Sequence, residues 1–183
     1  MKQERVQHEP AWSHPLALAD LPPEGAALKL VPGEKERAAL ARHVGVLAVP
    51  ALVADVKATP DGKGGVVVEG DLVATVRQTC VVSLEPFDNA VNEHITLRFL
   101  PESAAAFASA ENDEGEGDPA EVVRGGTVDL GALVAEFLAL GIDPYPRRPG
   151  ALFAPPAAAA APEEASSPFA ALAKLKPKGR QGD

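Results

Sequence analysis

From residue 66 to residue 100 the chain alternates apolar and polar residues, and no other feature constrains its fold as strongly. Val66, Val68, Leu72, Ala74, Val76, Cys80, Val82 and Leu84 share one parity, while Glu69, Asp71, Thr75 and Arg77 fall on the opposite face. A turn signal follows at Glu85-Pro86-Phe87-Asp88-Asn89. The alternation then resumes over Val91–Leu100, with Val91, Ile95, Leu97 and Phe99 set against Asn92, His94, Thr96 and Arg98. A period of two buries one face and wets the other, which is the pattern of a strand and not of a helix. Upstream, Val46–Ala58 is rich in β-branched and aliphatic residues and stops at Thr59-Pro60-Asp61-Gly62-Lys63-Gly64-Gly65, a strong turn signal. Successive strands joined by short turns predict an antiparallel meander.

The flanks add helices to this sheet. Pro15–Ala19 and Ala26–Val31 read as short extended pieces around Leu21-Pro22-Pro23-Glu24-Gly25. Pro32-Gly33-Glu34 opens a helix near Glu34–Val44, with Pro and Glu as start signals. Val128–Leu140 has helical spacing at Leu130, Leu133, Val134, Phe137 and Leu138; Thr127 or Asp129 can cap its start and Gly141 can end it. The fold class expected is α+β: an antiparallel β-meander sheet packed by one main helix, with a short second helix and a disordered C-terminal linker. Its core should contain Leu72, Val76, Cys80, Val82, Ile95, Leu97, Phe99, Leu130, Leu133 and Phe137. Residues 1–14 are expected to form a flexible N-terminus and 15–152 a single β-rich domain. Within that domain the acidic stretch of about 102–126 should be a mobile loop, because Glu111, Asp113, Glu114, Glu116 and Asp118 repel one another and bury little. Residues 153–167 read as a Pro/Ala linker and 168–183 as a basic segment.

Charge and cysteine usage narrow the function classes. A net charge of −9 runs against the basic balance of a free-standing nucleic-acid binder, so any RNA contact must use a local patch or go through a protein partner. One cysteine excludes a disulfide framework and a Cys-rich zinc site. No stretch approaches the roughly 18 apolar residues of a membrane span. A reducing compartment follows, and the cytoplasm is the expected one.

Little here resembles catalytic machinery. Cys80 could act as a nucleophile only with a base beside it, and His94 on the following strand is the candidate. Parity argues against that pairing. Even-numbered residues face the core on the first strand and odd-numbered ones on the second, so Cys80 should oppose Glu93 or Ile95 while His94 points to the other face. His8, His14, His43 and His94 lie in four separate segments, without ligand spacing. No phosphate-cradling loop and no Gly-x-Ser-x-Gly elbow occurs. No cofactor, metal or small-molecule substrate is therefore expected, and no enzyme activity.

Two cationic sites remain as candidates for binding RNA or a partner. Tyr145 precedes Arg147 and Arg148 in a frame of prolines that would hold an aromatic ring and guanidinium groups ready to stack on a base or grip phosphate. The plainer alternative packs Tyr145 under the helix and leaves the arginines solvating the domain edge. Lys174, Lys176, Lys178 and Arg180 form the second site, which a simple solubilising tail would explain equally well.

Three segments together resemble one family. Gly70-Asp71-Leu72 through Thr79-Cys80 to Glu85-Pro86 is similar to the hallmark stretch of the YceD family, the large ribosomal RNA subunit accumulation proteins. The helix running into Asp143-Pro144-Tyr145-Pro146-Arg147 resembles its second landmark. Ser167-Pro168-Phe169-Ala170-Ala171-Leu172-Ala173-Lys174-Leu175-Lys176 resembles its C-terminal end. The resemblance implies a role in accumulation of large-subunit (23S) ribosomal RNA, with pre-ribosomal RNA or large-subunit ribosomal proteins as partners. A protein-interaction adaptor without RNA contact is the alternative, and a hydrolase using Cys80 a distant third. Some relatives carry a second cysteine three residues after the first and more near the C-terminus, which suggests a metal. Here Ser83 holds that position and neither Cys nor His follows Pro149, so the metal does not carry over.

Overall fold

The computed structural model describes residues 10–62, 64–102, 120–123 and 125–153. The Pro/Ala linker, the basic C-terminal segment, most of the acidic stretch and the first nine residues lie outside the described residues. In chain order the elements are β1 (Pro15–Ala17), a 3-10 turn (Leu18–Asp20), β2 (Ala26–Leu30), α1 (Glu34–Val44), β3 (Ala48–Pro60), β4 (Val66–Thr79) and β5 (Pro86–Pro101). After these come β6 (Glu121–Val123), β7 (Thr127–Asp129) and α2 (Leu130–Leu140). Strands β2-β3-β4-β5 form an antiparallel meander in sequence order, and β6 joins the outer side of β5 in parallel. β1 and β7 make a separate antiparallel pair. The architecture is the α+β fold that the alternation predicts.

Apart from Val49 before the irregularity in β3 and Leu100 at the end of β5, the long strands bury one parity each. Val66, Val68, Leu72, Ala74 and Val76 of β4 lie against Val91, Ile95 and Phe99 of β5, and Leu52, Ala54, Val56 and Ala58 continue the layer on β3. Gly70 interrupts the β4 series for a steric reason. A Cβ there would collide with the Asp55 carbonyl and the Val56 backbone, so the bare backbone lets β3 and β4 approach. The β3–β4 turn closes through Asp61, which bonds Gly65 N–H at 2.8 Å and receives Arg98 Nη2 of β5 at 2.8 Å. Both helices cover the buried face: α1 packs on β3, α2 on β4 and β5, and the two touch each other.

Helix ends are fixed locally. The Glu36 carboxylate accepts the Gly33 N–H at the start of α1, and Gly45 at φ +74° ends it, with Val46 N–H reaching Ala41 O at 3.0 Å. Asp129 caps α2, accepting the N–H groups of Gly131 and Ala132 at 3.0 and 3.1 Å. The same carboxylate takes Ser13 Oγ at 2.6 Å and His14 N–H at 2.8 Å. That second pair of bonds ties down the chain beside Trp12, which is 5% exposed and part of the core, although the expected boundary at residue 15 leaves it outside the domain.

Several expectations need correction. The strand expected to run to Val82 ends at Thr79, and the turn expected at 85–89 is instead Cys80–Glu85, because Cys80 N–H bonds Glu85 O and Leu84 N–H bonds Cys80 O, each at 2.9 Å. Val82 is consequently half-buried in the turn and Leu84 is 76% exposed. Cys80 faces neither Glu93 nor Ile95: those residues pair with Leu72 and Gly70. The parity argument nevertheless holds, since every β4–β5 pair joins an even to an odd residue. Leu97 and Phe137, expected in the core, are half-buried and pack against it. Thr127-Val128-Asp129 is a strand and not the first turn of the helix, because it pairs with β1. Glu121–Val123, read as loop, is a strand because Phe99–Pro101 supplies a partner edge.

Candidate nucleic-acid interface

At one end of the sheet the Cys80–Glu85 turn and the segment 143–148 after α2 interlock. Val81 N–H bonds Pro146 O at 2.9 Å, and Gln78 Nε2 bonds Asp143 O at 2.9 Å. Gln78 is buried at an inward position among apolar neighbours, and Asn89 Nδ2 supplies its oxygen at 3.3 Å, so both ends of the amide are satisfied. Asp143 Oδ1 takes Tyr145 N–H at 2.8 Å, which turns the chain at the start of the proline frame. Prolines 144, 146 and 149 restrict the backbone between these bonds. The strap is thus held at several points by the hairpin beneath it.

Cys80 is the hub of this contact. Its sulfur is fully buried, yet Val81, Ser83, Leu84 and Glu85 around it are exposed, so the thiol sits just under a surface turn. Sγ accepts the N–H groups of Ser83 and Arg148, each at 3.4 Å. The Ser83 hydroxyl bond, joined by the Ser83 and Arg148 amides, outweighs burial and pulls the thiol from 9.0 down to about 6. Among the described residues, no imidazole or carboxylate is hydrogen-bonded to it. His94 lies instead on the open face of the sheet, its Nδ1 2.9 Å from Asp71 Oδ1. Among the described residues, no group of three His, Cys, Asp or Glu side chains is placed to hold a metal ion.

The structure brings Tyr145, Arg147 and Arg148 together on the strap and divides their duties. Tyr145 is 72% exposed and does not pack under α2, while its N–H is engaged by Asp143. Arg147 is exposed and has no ion pair among the described residues. Arg148 spends its guanidinium on Glu85, Nη1 to Oε2 at 2.8 Å, and its amide on Cys80. Lys174, Lys176, Lys178 and Arg180 lie outside the described residues. Beside the strap an open groove of about 500 Å³ is lined by Val46, Leu47, Val81, Ile142 and Pro144 over Gln78, with Leu47 58% exposed.

Sequence reasoning missed Gln78, Ser83, Leu84 and Glu85. For Gln78 the signal was present: a polar residue at an inward position needs a partner. Leu84 gave no signal, since its φ of +59°, rare for a side chain of that shape, follows from the turn.

The model of the family described as "Large ribosomal RNA subunit accumulation protein YceD" matches residues 68–176, from inside β4 through the Cys80 turn, α2 and the strap. The chain belongs to the YceD family. No curated protein and no solved structure matches it. The name YceD carries involvement in accumulation of the large ribosomal RNA subunit. No helix among the described residues is long and apolar enough to cross a membrane.

Proposed function

We propose that this YceD protein supports accumulation of large-subunit ribosomal RNA as a non-catalytic assembly factor that binds pre-ribosomal RNA at the strap. The observation that carries this reading is an outward Tyr145 next to an Arg147 without an ion pair among the described residues, on a segment braced by prolines and hydrogen bonds. An exposed ring stacks on an unpaired base for about 1–3 kcal/mol, and a guanidinium beside it grips phosphate. Pre-ordering the strap removes the entropy cost of arranging the two groups. Lys174, Lys176, Lys178 and Arg180, which lie outside the described residues, would add phosphate contacts from the C-terminal segment.

A second reading, an adaptor that touches ribosomal proteins and no RNA, is favoured by the net charge of −9 and by the open apolar groove. Ultraviolet cross-linking separates the two. The RNA reading predicts large-subunit RNA attached at Tyr145, with attachment falling about tenfold or more in Tyr145→Ala combined with Arg147→Ala. Protein cross-links without RNA would support the adaptor instead.

A further inference from the structure

Among the described residues the outer edge of β5 is paired only at Phe99–Pro101, and the hairpin shows which of its backbone groups face outward. Cys80 N–H bonds Glu85 O, while Pro86, opposite Thr79, has no N–H to offer. The hydrogen-bonded pairs of the ladder therefore join even residues of β4 to odd residues of β5, such as Ala74 with Val91. Ala90, Asn92, His94 and Thr96 consequently aim both N–H and C=O away from β4. β6 takes only Phe99–Pro101, and no other described residue bonds the backbone groups that face outward.

Edges of this kind are normally guarded by proline, bulges, shortness or charge. β5 is 16 residues long, with prolines only at its two ends, and its pairing with β4 runs without a bulge. Its open-face side chains are already engaged: Asp88 with Arg77, His94 with Asp71 and Arg98 with Asp61. Glu93 differs. It points to the inner face, is half-buried beside Gly141, and has no hydrogen-bond or ion-pair partner among the described residues. Leu140, next to Gly141, is 77% exposed.

We propose that the β5 edge docks an extended segment of a protein partner as a further strand, and that this segment is basic where it passes Glu93. A row of amide donors and acceptors at strand spacing matches polypeptide backbone. The unpaired Glu93 selects Lys or Arg across the new ladder, and the net charge of −9 works against a second copy in that place. The docking mode stands on the edge geometry and on Glu93, and does not depend on the function proposed above.

The test is residue-resolved amide exchange on the full chain, with a blocked peptide alternating Val and Lys as probe and its Val–Glu counterpart as control. The amides of Ala90, Asn92, His94 and Thr96 should exchange fast in the free protein and slow about tenfold or more with the Val–Lys peptide, while Val91 and Ile95 do not change. Asn92→Pro, which removes an outward donor and no N–H that bonds β4, should abolish that protection. Glu93→Lys should transfer the preference to the Val–Glu peptide. Outward amides already slow in the free protein would overturn the proposal, since the edge would then be filled by the chain itself. So would peptide binding that survives Asn92→Pro, the absence of any peptide binding, or protection conferred by single-stranded RNA instead. None of these outcomes bears on large-subunit RNA levels, which test the proposed function separately.

Discussion

A sulfur that accepts backbone N–H groups behaves unlike one packed only among methyl groups. Parity made the burial of Cys80 legible in the sequence, but its setting was not. The turn that cradles it is defined by Leu84 at positive φ and by a strap 68 positions away in the chain, and neither is a local signal. The consequence is a titration. Folding lowers the thiol from 9.0 to about 6, so the folded protein gives up this proton first. The stability gained is complete above about pH 9 and fades as the pH falls to about 6, below which both states hold the proton. Thiolate absorbance should therefore rise around pH 6 in the native protein, and Cys80→Ser should flatten the dependence of unfolding stability on pH across that window. A native titration near 9 would show the cradle to be ineffective.

At the scale of elements, sequence periodicity located α1, β3, β4, β5 and most of α2, because each of these repeats its own pattern over many residues. β6 and β7 were invisible. Each is three residues long and exists only because a distant strand offers it an edge, Phe99–Pro101 for one and Pro15–Ala17 for the other. The junction of β7 and α2 can be tested through Asp129. Burial pushes its carboxyl up, but the Ser13 hydroxyl and the amides of His14, Ala132 and Gly131 together hold it below the ordinary 3.8. Asp129→Ala should cost about 1–2 kcal/mol, the usual range for a lost N-cap. It should also release residues 12–14, shifting the emission of Trp12, the only tryptophan, to the red. Unchanged emission would mean that other contacts hold that segment.

For the whole molecule, fold and family were both legible in the sequence: the fold from alternation, the family from three landmarks in order. The candidate site's exposure and partners were legible only in part. Tyr145 and Arg147 stood out as an aromatic and a cation among prolines, but only the structure separates Arg147, without an ion pair among the described residues, from Arg148, which Glu85 already holds. Composition could not have made that distinction, because both arginines contribute equally to a charge count. The proposed function has RNA held at the strap and Cys80 acting through the turn it supports. The ratio of large- to small-subunit RNA, measured in cells depleted of this protein and complemented with variants, tests this most directly. Depletion should lower the ratio. Wild type and Cys80→Ser should restore it, and Tyr145→Ala combined with Arg147→Ala should not. An unchanged ratio on depletion, or full rescue by the double variant, would contradict the account.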